Sequence, residues 1–252
     1  MSLFSKAENT SAYLKMGFMG KPGSGKTVTA SLVTIGLVQM MRQRGLAAGS
    51  RPVYFLDTEG GSDWVAPRFA EAGIPLFTAK TKAFSYLLIA IPEAETNASL
   101  LLVDSLTHFW VELCDAYMKA KTDRFGKPRT KLQFEDWAYL KAQWRLFTDA
   151  YVNSNLHCIV AGRAGYEYDY VVDDETGKKN LEKTDIKMKA ESDMGYEPSM
   201  LVLMEREIDM ATRTNRHVAT VLKDRAGLID GKEFVNPTFT SFLPHIERLN
   251  WG

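Results

Sequence analysis

One short stretch near the amino terminus constrains this chain more than any other part of it. Residues 20–27 read GKPGSGKT, which fits the pattern G-x-x-x-x-G-K-[ST] at every fixed position. In that pattern the glycines let the backbone curl, so that its N–H groups point inward and form a concave anion site. The residues that would line such a site are Gly20, Lys21, Pro22, Gly23, Ser24, Gly25, Lys26 and Thr27.

The segments on either side of this loop are those that a phosphate site needs. Residues 13–19 (YLKMGFM) are typical of a buried strand, and residues 28–44 predict a helix that ends at Gly45. The amino-terminal end of such a helix adds free N–H groups and the positive end of its dipole. Lys26 would then reach the β- and γ-phosphates, while the Thr27 hydroxyl would bind Mg²⁺. The sequence therefore predicts a site for a nucleoside triphosphate with magnesium.

The composition is that of one ordinary globular domain. Of the 252 residues, 45% are hydrophobic, so the chain can bury a full core. The 31 basic and 31 acidic residues cancel, so attraction to nucleic acid has to come from local patches. The cysteines and histidines are scattered, which indicates reduced core thiols and argues against a structural metal. Because there is no signal core or membrane-length apolar run, we expect a soluble cytoplasmic protein.

Strand and helix patterns alternate along the chain, which favours an α/β fold with a mostly parallel sheet flanked by helices. We expect residues 1–12 to be flexible, residues 163–198 to be a long charged stretch of turns, and residues 13–252 to form a single domain. Further strands are predicted at 51–57, 74–78, 99–103, 156–161, 200–205 and 217–222, the last two antiparallel, and further helices at 63–72, 84–93, 106–119 and 132–153.

Acidic residues follow two of the predicted strands. Asp104 and Ser105 close the apolar run LLLV, and an acid in that position can hold the magnesium shell beside a phosphate loop. The alternative is that Asp104 only caps the next helix. Glu59 lies just beyond the second strand and is our candidate for the carboxylate that orients and deprotonates an attacking water, the alternative being a surface turn acid.

Three segments together resemble RecA-type recombinases. VYFLDTEGGSDW resembles the family's strand ending in Asp-x-Glu, LLLVDS its magnesium strand, and VATVLKDRAG its strand ending in Lys-Asn-[Lys/Arg]. The resemblance implies a RecA-like P-loop NTPase fold, ATP and Mg²⁺ as cofactors, Glu59 as catalytic base, and Thr27 and Asp104 as metal ligands. It also implies a homo-oligomer, a filament or a ring, in which Lys223 and Arg225 reach the ATP of a neighbouring subunit. The set is similar to small phage-encoded RecA-like ATPases of single-strand annealing and recombination.

The chain departs from that family after the strand at 156–161, while a short segment near its start resembles a further motif of the family. Where the family usually has Asn-Gln after the strand at 156–161, this chain has Gly162-Arg163. Arg163 could sense phosphate there, or it could be a structural arginine. Residues 4–7 (FSKA) resemble the Phe-x-x-Ala motif that joins RadA-type subunits, against the alternative of a frayed terminus.

Two basic stretches fall where the resemblance places DNA-contacting loops. Residues 119–131 carry six cations and Phe125, while residues 177–189 carry five lysines after the tyrosines of YEYDY. Cations can neutralise phosphates and aromatic rings can stack on unpaired bases, so single-stranded DNA is the expected partner. The alternative is two solvated loops. The candidate contacts are Lys121, Arg124, Lys127, Arg129, Lys131, Lys178, Lys179, Lys183, Lys187 and Lys189.

Three other functions share the phosphate loop. A small-molecule kinase usually needs an arginine-rich lid, whereas residues 163–198 are rich in lysine. A partition or MinD-like nucleotide switch would use Lys21 as its signature lysine, but Pro22 replaces the usual glycine. A scaffold that only binds ATP would leave Glu59 idle.

Overall fold

The computed structural model describes residue 6 and residues 13–122, 126–127, 129–172 and 179–251. Within these residues one sheet has the strand order β3-β2-β4-β5-β1-β7-β8-β9, and β6 pairs with β5 beside that path. The pairs from β3 to β7 are parallel, while β7-β8, β8-β9 and β5-β6 are antiparallel. The strands are β1 (Lys15–Gly20), β2 (Val53–Asp57), β3 (Leu76–Lys80), β4 (Leu100–Asp104), β5 (His157–Val172), β6 (Lys179–Met188), β7 (Met200–Asp209), β8 (Thr214–Asp224) and β9 (Glu233–Val235).

Helices cover both faces of this sheet. The first face packs against α1 (Lys26–Gln43), α2 (Ser62–Glu71) and α6 (Phe239–Ile246), and the second against α3 (Phe84–Asn97), α4 (Leu106–Ala120) and α5 (Asp136–Asn153). Leu100 and Leu102 of β4 belong to the first core and Leu101 and Val103 to the second, which explains why this strand is a continuous apolar run. The predicted α/β fold with a mostly parallel sheet and antiparallel carboxyl-terminal strands is confirmed. No helix of the described part of the chain is long and apolar enough to cross a membrane.

The register of the parallel strands brings their carboxyl ends to one edge. Asp57 lies beside Asp104, and Asp104 lies beside Ala161 of β5. Phe18 of β1 pairs with the same Ala161, so the loop that follows Gly20 opens at the edge where the two aspartates end their strands. In sheets of this kind ligands bind outside the carboxyl ends of the strands.

The expectation of a long stretch of turns at 163–198 is wrong. β5 continues past Arg163 to Val172 and returns as β6, and the two strands form an antiparallel hairpin from Ala164 paired with Met188 to Val172 paired with Lys179. The sequence of β5 alternates tyrosines with acidic residues, a strand pattern that the high charge of the segment obscured.

Several boundaries also differ from the predictions. α1 begins at Lys26 rather than at residue 28, and α5 begins at Asp136 rather than at residue 132. β3 begins at Leu76, two positions later than predicted. The start of α1 matters for function, because it puts Lys26 and the following threonine in the first helical turn.

The carboxyl-terminal segment, which the sequence patterns could not place, packs α6 against α1. Gly36 of α1 makes this close approach possible, because a Cβ there would lie 2.2 Å from the ring of Phe239. The buried His245 of α6 pairs through Nδ1 with a carboxylate oxygen of Asp224 at 2.6 Å, and its Nε2 lies 3.0 Å from Ser199 Oγ. The same Asp224 carboxylate accepts backbone N–H groups of the turn after β8. These contacts fix the end of the chain to the sheet.

Candidate nucleotide site

The phosphate loop joins β1 directly to the first turn of α1. Gly25 adopts the left-handed conformation with φ 89°, which a residue with a side chain rarely adopts. A Cβ on Gly20 would lie 2.3 Å from the carbonyl oxygen of Met204, so the start of the loop also requires glycine. Lys26 Nζ donates to the carbonyl oxygens of Gly20 and Lys21, each at 3.0 Å. The ammonium group thus lies over the loop, where phosphate oxygens could replace the carbonyl acceptors.

Thr27 and Asp104 meet at the floor of this loop. Thr27 Oγ1 donates to Asp104 Oδ2 at 2.5 Å, although 77 residues separate the two in sequence. Burial raises the pKa of the Asp104 carboxyl to about 6, and the hydrogen bond from Thr27 and the charge of Lys26 oppose that rise. The raised pKa means that too little positive charge lies near the buried carboxylate to stabilise its ionised form. A divalent cation would supply that charge.

The residues around this pair fit a magnesium ion that a nucleotide brings with it. A hydroxyl and a carboxylate are hard oxygen ligands, which Mg²⁺ prefers. The described residues contain no cluster of three or more histidine, cysteine or acidic side chains, so phosphate oxygens and water would complete the coordination. Ser24 Oγ and Ser105 Oγ beside the loop are buried and make no hydrogen bond with any described residue, which leaves two hydroxyls for a polar ligand.

Asp57 shapes the loop that carries Glu59, a role that the sequence patterns did not indicate. Its Oδ1 accepts the N–H groups of Glu59, Gly60 and Gly61 at 2.9, 2.8 and 3.2 Å. Its Oδ2 accepts both the N–H and the hydroxyl of Ser62, the residue that begins α2. Burial alone would raise the pKa of Asp57, but these hydrogen bonds outweigh burial and lower it. The anionic side chain therefore holds Glu59 at the edge of the sheet.

Arg163 contacts Glu59. Its Nε and a terminal nitrogen donate to Glu59 Oε1 at 3.2 and 3.0 Å, and its backbone N–H donates to Thr107. Both side chains are about half-exposed, so the ion pair adds little stability. Arg163 thus lies at the predicted site but bonded to the candidate base. A phosphate group would have to compete with Glu59 for its guanidinium.

Three further residues complete the rim of the site, and no local motif marked them. Thr58 and His108 lie behind Glu59, with Thr58 Oγ1 2.7 Å from His108 Nδ1. On the other side of the loop, His217 Nδ1 lies 3.1 Å from the carbonyl oxygen of Ser24. Strand pairing far along the chain brings these histidines to the loop, so only the fold reveals them.

The β5-β6 hairpin begins beside the phosphate loop. Lys21 Nζ lies 5.0 Å from the ring centroid of Tyr166, and Lys183 Nζ lies 3.3 Å from the same centroid. Hydrogen bonds from Lys21 and then Lys183 lower the pKa of the Tyr166 hydroxyl. Lys21, the second residue of the loop, is therefore joined to the hairpin through one aromatic ring.

The other candidate DNA contacts are in varied surroundings. Arg129 is bonded to the buried Asp136 at the start of α5, so its charge anchors the chain before that helix. Lys187 pairs with Glu167, while Lys121 lies 5.2 Å from the ring centroid of Tyr117. Lys127, Lys131 and Lys189 are exposed. Arg124, Lys178, the side chain of Lys179 and the segment 4–7, apart from Lys6, lie outside the described residues.

Lys223 and Arg225 lie far from the phosphate loop of their own chain. Lys223 pairs with Leu201 near the start of β7, whereas Gly20 pairs with Met204. Both cations donate to the carbonyl oxygen of Tyr196, at 2.5 and 2.8 Å. They therefore lie at the opposite end of the sheet, so neither can act on a nucleotide bound to the same chain.

Comparison with known proteins agrees with the chemistry of the loop. A family model described as an AAA domain matches residues 12–227, most of the chain. No curated protein matches the sequence. A domain of this family is a P-loop ATPase domain, which binds and hydrolyses a nucleotide, normally with Mg²⁺.

Because the Asp104 carboxylate is buried, we expect Asp104→Asn to stabilise the nucleotide-free protein. A pKa raised from 3.8 to about 6 means that the folded protein holds the proton more tightly than the unfolded chain. The ionised group therefore costs stability as the pH rises through this range. Removing its charge should raise the free energy of unfolding by on the order of 1–3 kcal/mol at about pH 7.5, and by less at about pH 4.5.

Denaturant unfolding of both proteins at the two pH values, without nucleotide or magnesium, measures this effect. The same variant should lose magnesium-dependent nucleotide binding. A lower stability than that of the wild type near neutral pH would contradict the account of this site.

Proposed function

From the premise that this chain belongs to the family of AAA domains, we propose that it is a magnesium-dependent ATPase of RecA-like type. In this proposal it acts as a homo-oligomer on single-stranded DNA, in phage-type recombination, annealing or replication. The observation that carries the ATPase activity is the convergence of Lys26, Thr27, Asp104 and Glu59 at one edge of the sheet. Lys26 would supply a positive charge for the phosphates, Thr27 and Asp104 two metal ligands, and Glu59 a base.

Each residue has a distinct task in hydrolysis. Lys26 exchanges its carbonyl acceptors for the β- and γ-phosphate oxygens and offsets their charge. Thr27 and Asp104 would hold a magnesium ion, whose charge would offset that of the phosphates. Glu59 orients a water in line with the γ-phosphate and removes its proton, because a carboxylate held at the rim by Asp57 is placed for that role.

Lys223 and Arg225 support the proposed oligomer. Two cations that share a carbonyl acceptor at the far end of the sheet serve no purpose at their own phosphate loop. In a head-to-tail assembly they could reach the nucleotide of the next subunit, where a cation on the transferred phosphoryl group raises the rate by orders of magnitude. Hydrolysis would then depend on assembly.

The β5-β6 hairpin supports the proposed binding of DNA. Its lysines would bind phosphates, and the tyrosines of its sequence would stack on unpaired bases. Lys21 contacts Tyr166 at the root of the hairpin, so binding of nucleotide at the loop and of DNA at the hairpin would affect one another. The kinase alternative is less well supported because this segment is a paired hairpin rather than an arginine-rich lid.

Glu59→Gln should leave ATP bound and unhydrolysed. The amide keeps the size of the side chain but cannot accept the proton of water, so the hydrolysis rate should fall by about 100-fold or more. Titration with labelled ATP and a phosphate-release assay measure affinity and rate separately. Lys26→Ala is the control, and it should lose binding itself. Wild-type turnover by Glu59→Gln would exclude Glu59 as the base.

Replacing three hairpin lysines should weaken binding of single-stranded DNA. We expect a weaker salt dependence when Lys183, Lys187 and Lys189 are changed to alanine. The negative slope of log affinity against log salt should become shallower by about 2, since each lost phosphate contact contributes about 0.7. Fluorescence anisotropy with a labelled oligonucleotide at several salt concentrations measures both quantities. The matched control replaces three cations outside the hairpin: Arg68, Arg145 and Lys232. Equal affinity and slope in the two triple variants would refute the hairpin as the DNA site.

A further inference from the structure

We infer that His108 is a positioning residue of the hydrolytic reaction and receives the proton that Glu59 removes from the attacking water. This inference rests on the proposed ATPase activity and adds a proton acceptor to it. Neither a motif of the sequence nor the family match assigns a role to this histidine.

The start of α4 fixes the position of His108. The helix begins at Leu106, directly after Asp104 and Ser105, and the His108 N–H donates to the carbonyl oxygen of Ser105 at 3.2 Å. The imidazole then extends from the first helical turn toward the loop after β2. Its Nδ1 lies 2.7 Å from Thr58 Oγ1, and its Nε2 lies 3.6 Å from Glu59 Oε1. The ring is thus held on one side and faces the candidate base on the other.

We assign the proton of the neutral His108 ring from the hydrogen bonds of Thr58. Thr58 has one hydroxyl hydrogen, which it donates to the carbonyl oxygen of Asp104 at 3.1 Å. Thr58 Oγ1 itself accepts the N–H of Ser105 at 2.8 Å. A hydroxyl has one hydrogen and two lone pairs, so its remaining capacity is to accept from His108 Nδ1–H. With this assignment the neutral imidazole presents a bare Nε2 to Glu59.

A bare Nε2 beside a carboxylate can form no hydrogen bond until one of them gains a proton. Burial, the largest effect, lowers the pKa of His108, the charge of Glu59 raises it, and those of Arg163 and Lys82 lower it. The net shift is downward, so the imidazole is neutral at about pH 7 and able to accept a proton.

The proton balance of the step is then complete. Water oxygen bonds to the γ-phosphorus as the bond from phosphorus to the β–γ bridging oxygen breaks, and ADP leaves with that electron pair. The water proton passes to Glu59, whose carboxyl group can turn about its last side-chain bond, a broad torsion, to face Nε2. Glu59 then gives the proton to His108, which becomes an imidazolium bonded to Thr58 and Glu59. The carboxylate is restored for the next turnover, and the imidazolium releases its proton to solvent.

A purely structural role is the competing explanation, and two substitutions separate it from the inference. His108→Asn keeps an N–H near the position of Nδ1, so it can still donate to Thr58, but it has no group at the position of Nε2. His108→Gln places its amide nearer to Nε2 and cannot take up a proton. If the ring only supports Thr58, the asparagine variant should behave like the wild type.

The expected result is that both variants bind ATP as the wild type does but hydrolyse it about 10- to 100-fold more slowly in single-turnover assays. In the wild type the rate should fall at low pH as His108 becomes protonated and can no longer accept a proton. This fall should be absent from both variants. Added imidazole should restore part of the rate in His108→Ala, because it can supply the missing acceptor. A wild-type rate and pH profile in His108→Asn would overturn the inference, even where Glu59→Gln abolishes hydrolysis. Failure of Glu59→Gln to slow hydrolysis would instead refute the proposed base.

A measurement on the folded full chain does not depend on activity. Proton NMR titration should give a lower pKa for His108 in Glu59→Gln than in the wild type, because the carboxylate that favours the imidazolium is gone. The other histidines, His157, His217 and His245, serve as internal references and should not shift. An unchanged His108 titration would show that the two groups do not interact and would also overturn the inference.

Discussion

The hydrogen bond between Thr27 and Asp104 is the contact on which the rest of the site depends. It joins the first turn of α1 to the end of β4, and it forms because parallel strands end at one edge of the sheet. The carboxylate is buried there by the same packing that holds β4 between two cores, so its charge is costly until a cation arrives. Fold stability and cofactor binding are therefore opposed at this position, as is common where a site is prepared for a ligand.

The two ends of the sheet carry different chemistry. At the carboxyl edge, Asp57 orients the loop of Glu59. Arg163 donates to Glu59 Oε1, and His108 Nε2 faces the same oxygen. At the other end, Arg225 and Lys15 line a polar cavity of about 650 Å³. A head-to-tail contact between subunits would bring these unlike ends together. The different chemistry of the two ends of the sheet therefore agrees with the proposed head-to-tail assembly.

Local patterns predicted part of this structure well. The phosphate loop and the strand before Asp104 are continuous in sequence, so their residues and their place at one edge followed from pattern alone. Local patterns do not predict the hairpin at 164–188, because its high charge conceals the strand alternation. The pairing of Arg163 with Glu59 and the place of His108 depend on strand order, which brings together residues more than 45 positions apart. Local sequence patterns cannot predict contacts between residues so far apart in the chain.

The most direct test of the central claim is steady-state ATP hydrolysis measured over a range of protein concentrations, with magnesium or with a chelator, and with or without single-stranded DNA. We expect magnesium-dependent hydrolysis whose rate per protomer rises with protein concentration and rises further with DNA. A rate per protomer that stays constant across the range would contradict a site completed by a neighbouring subunit. Absence of magnesium-dependent hydrolysis at every concentration would contradict the assignment of the nucleotide site itself.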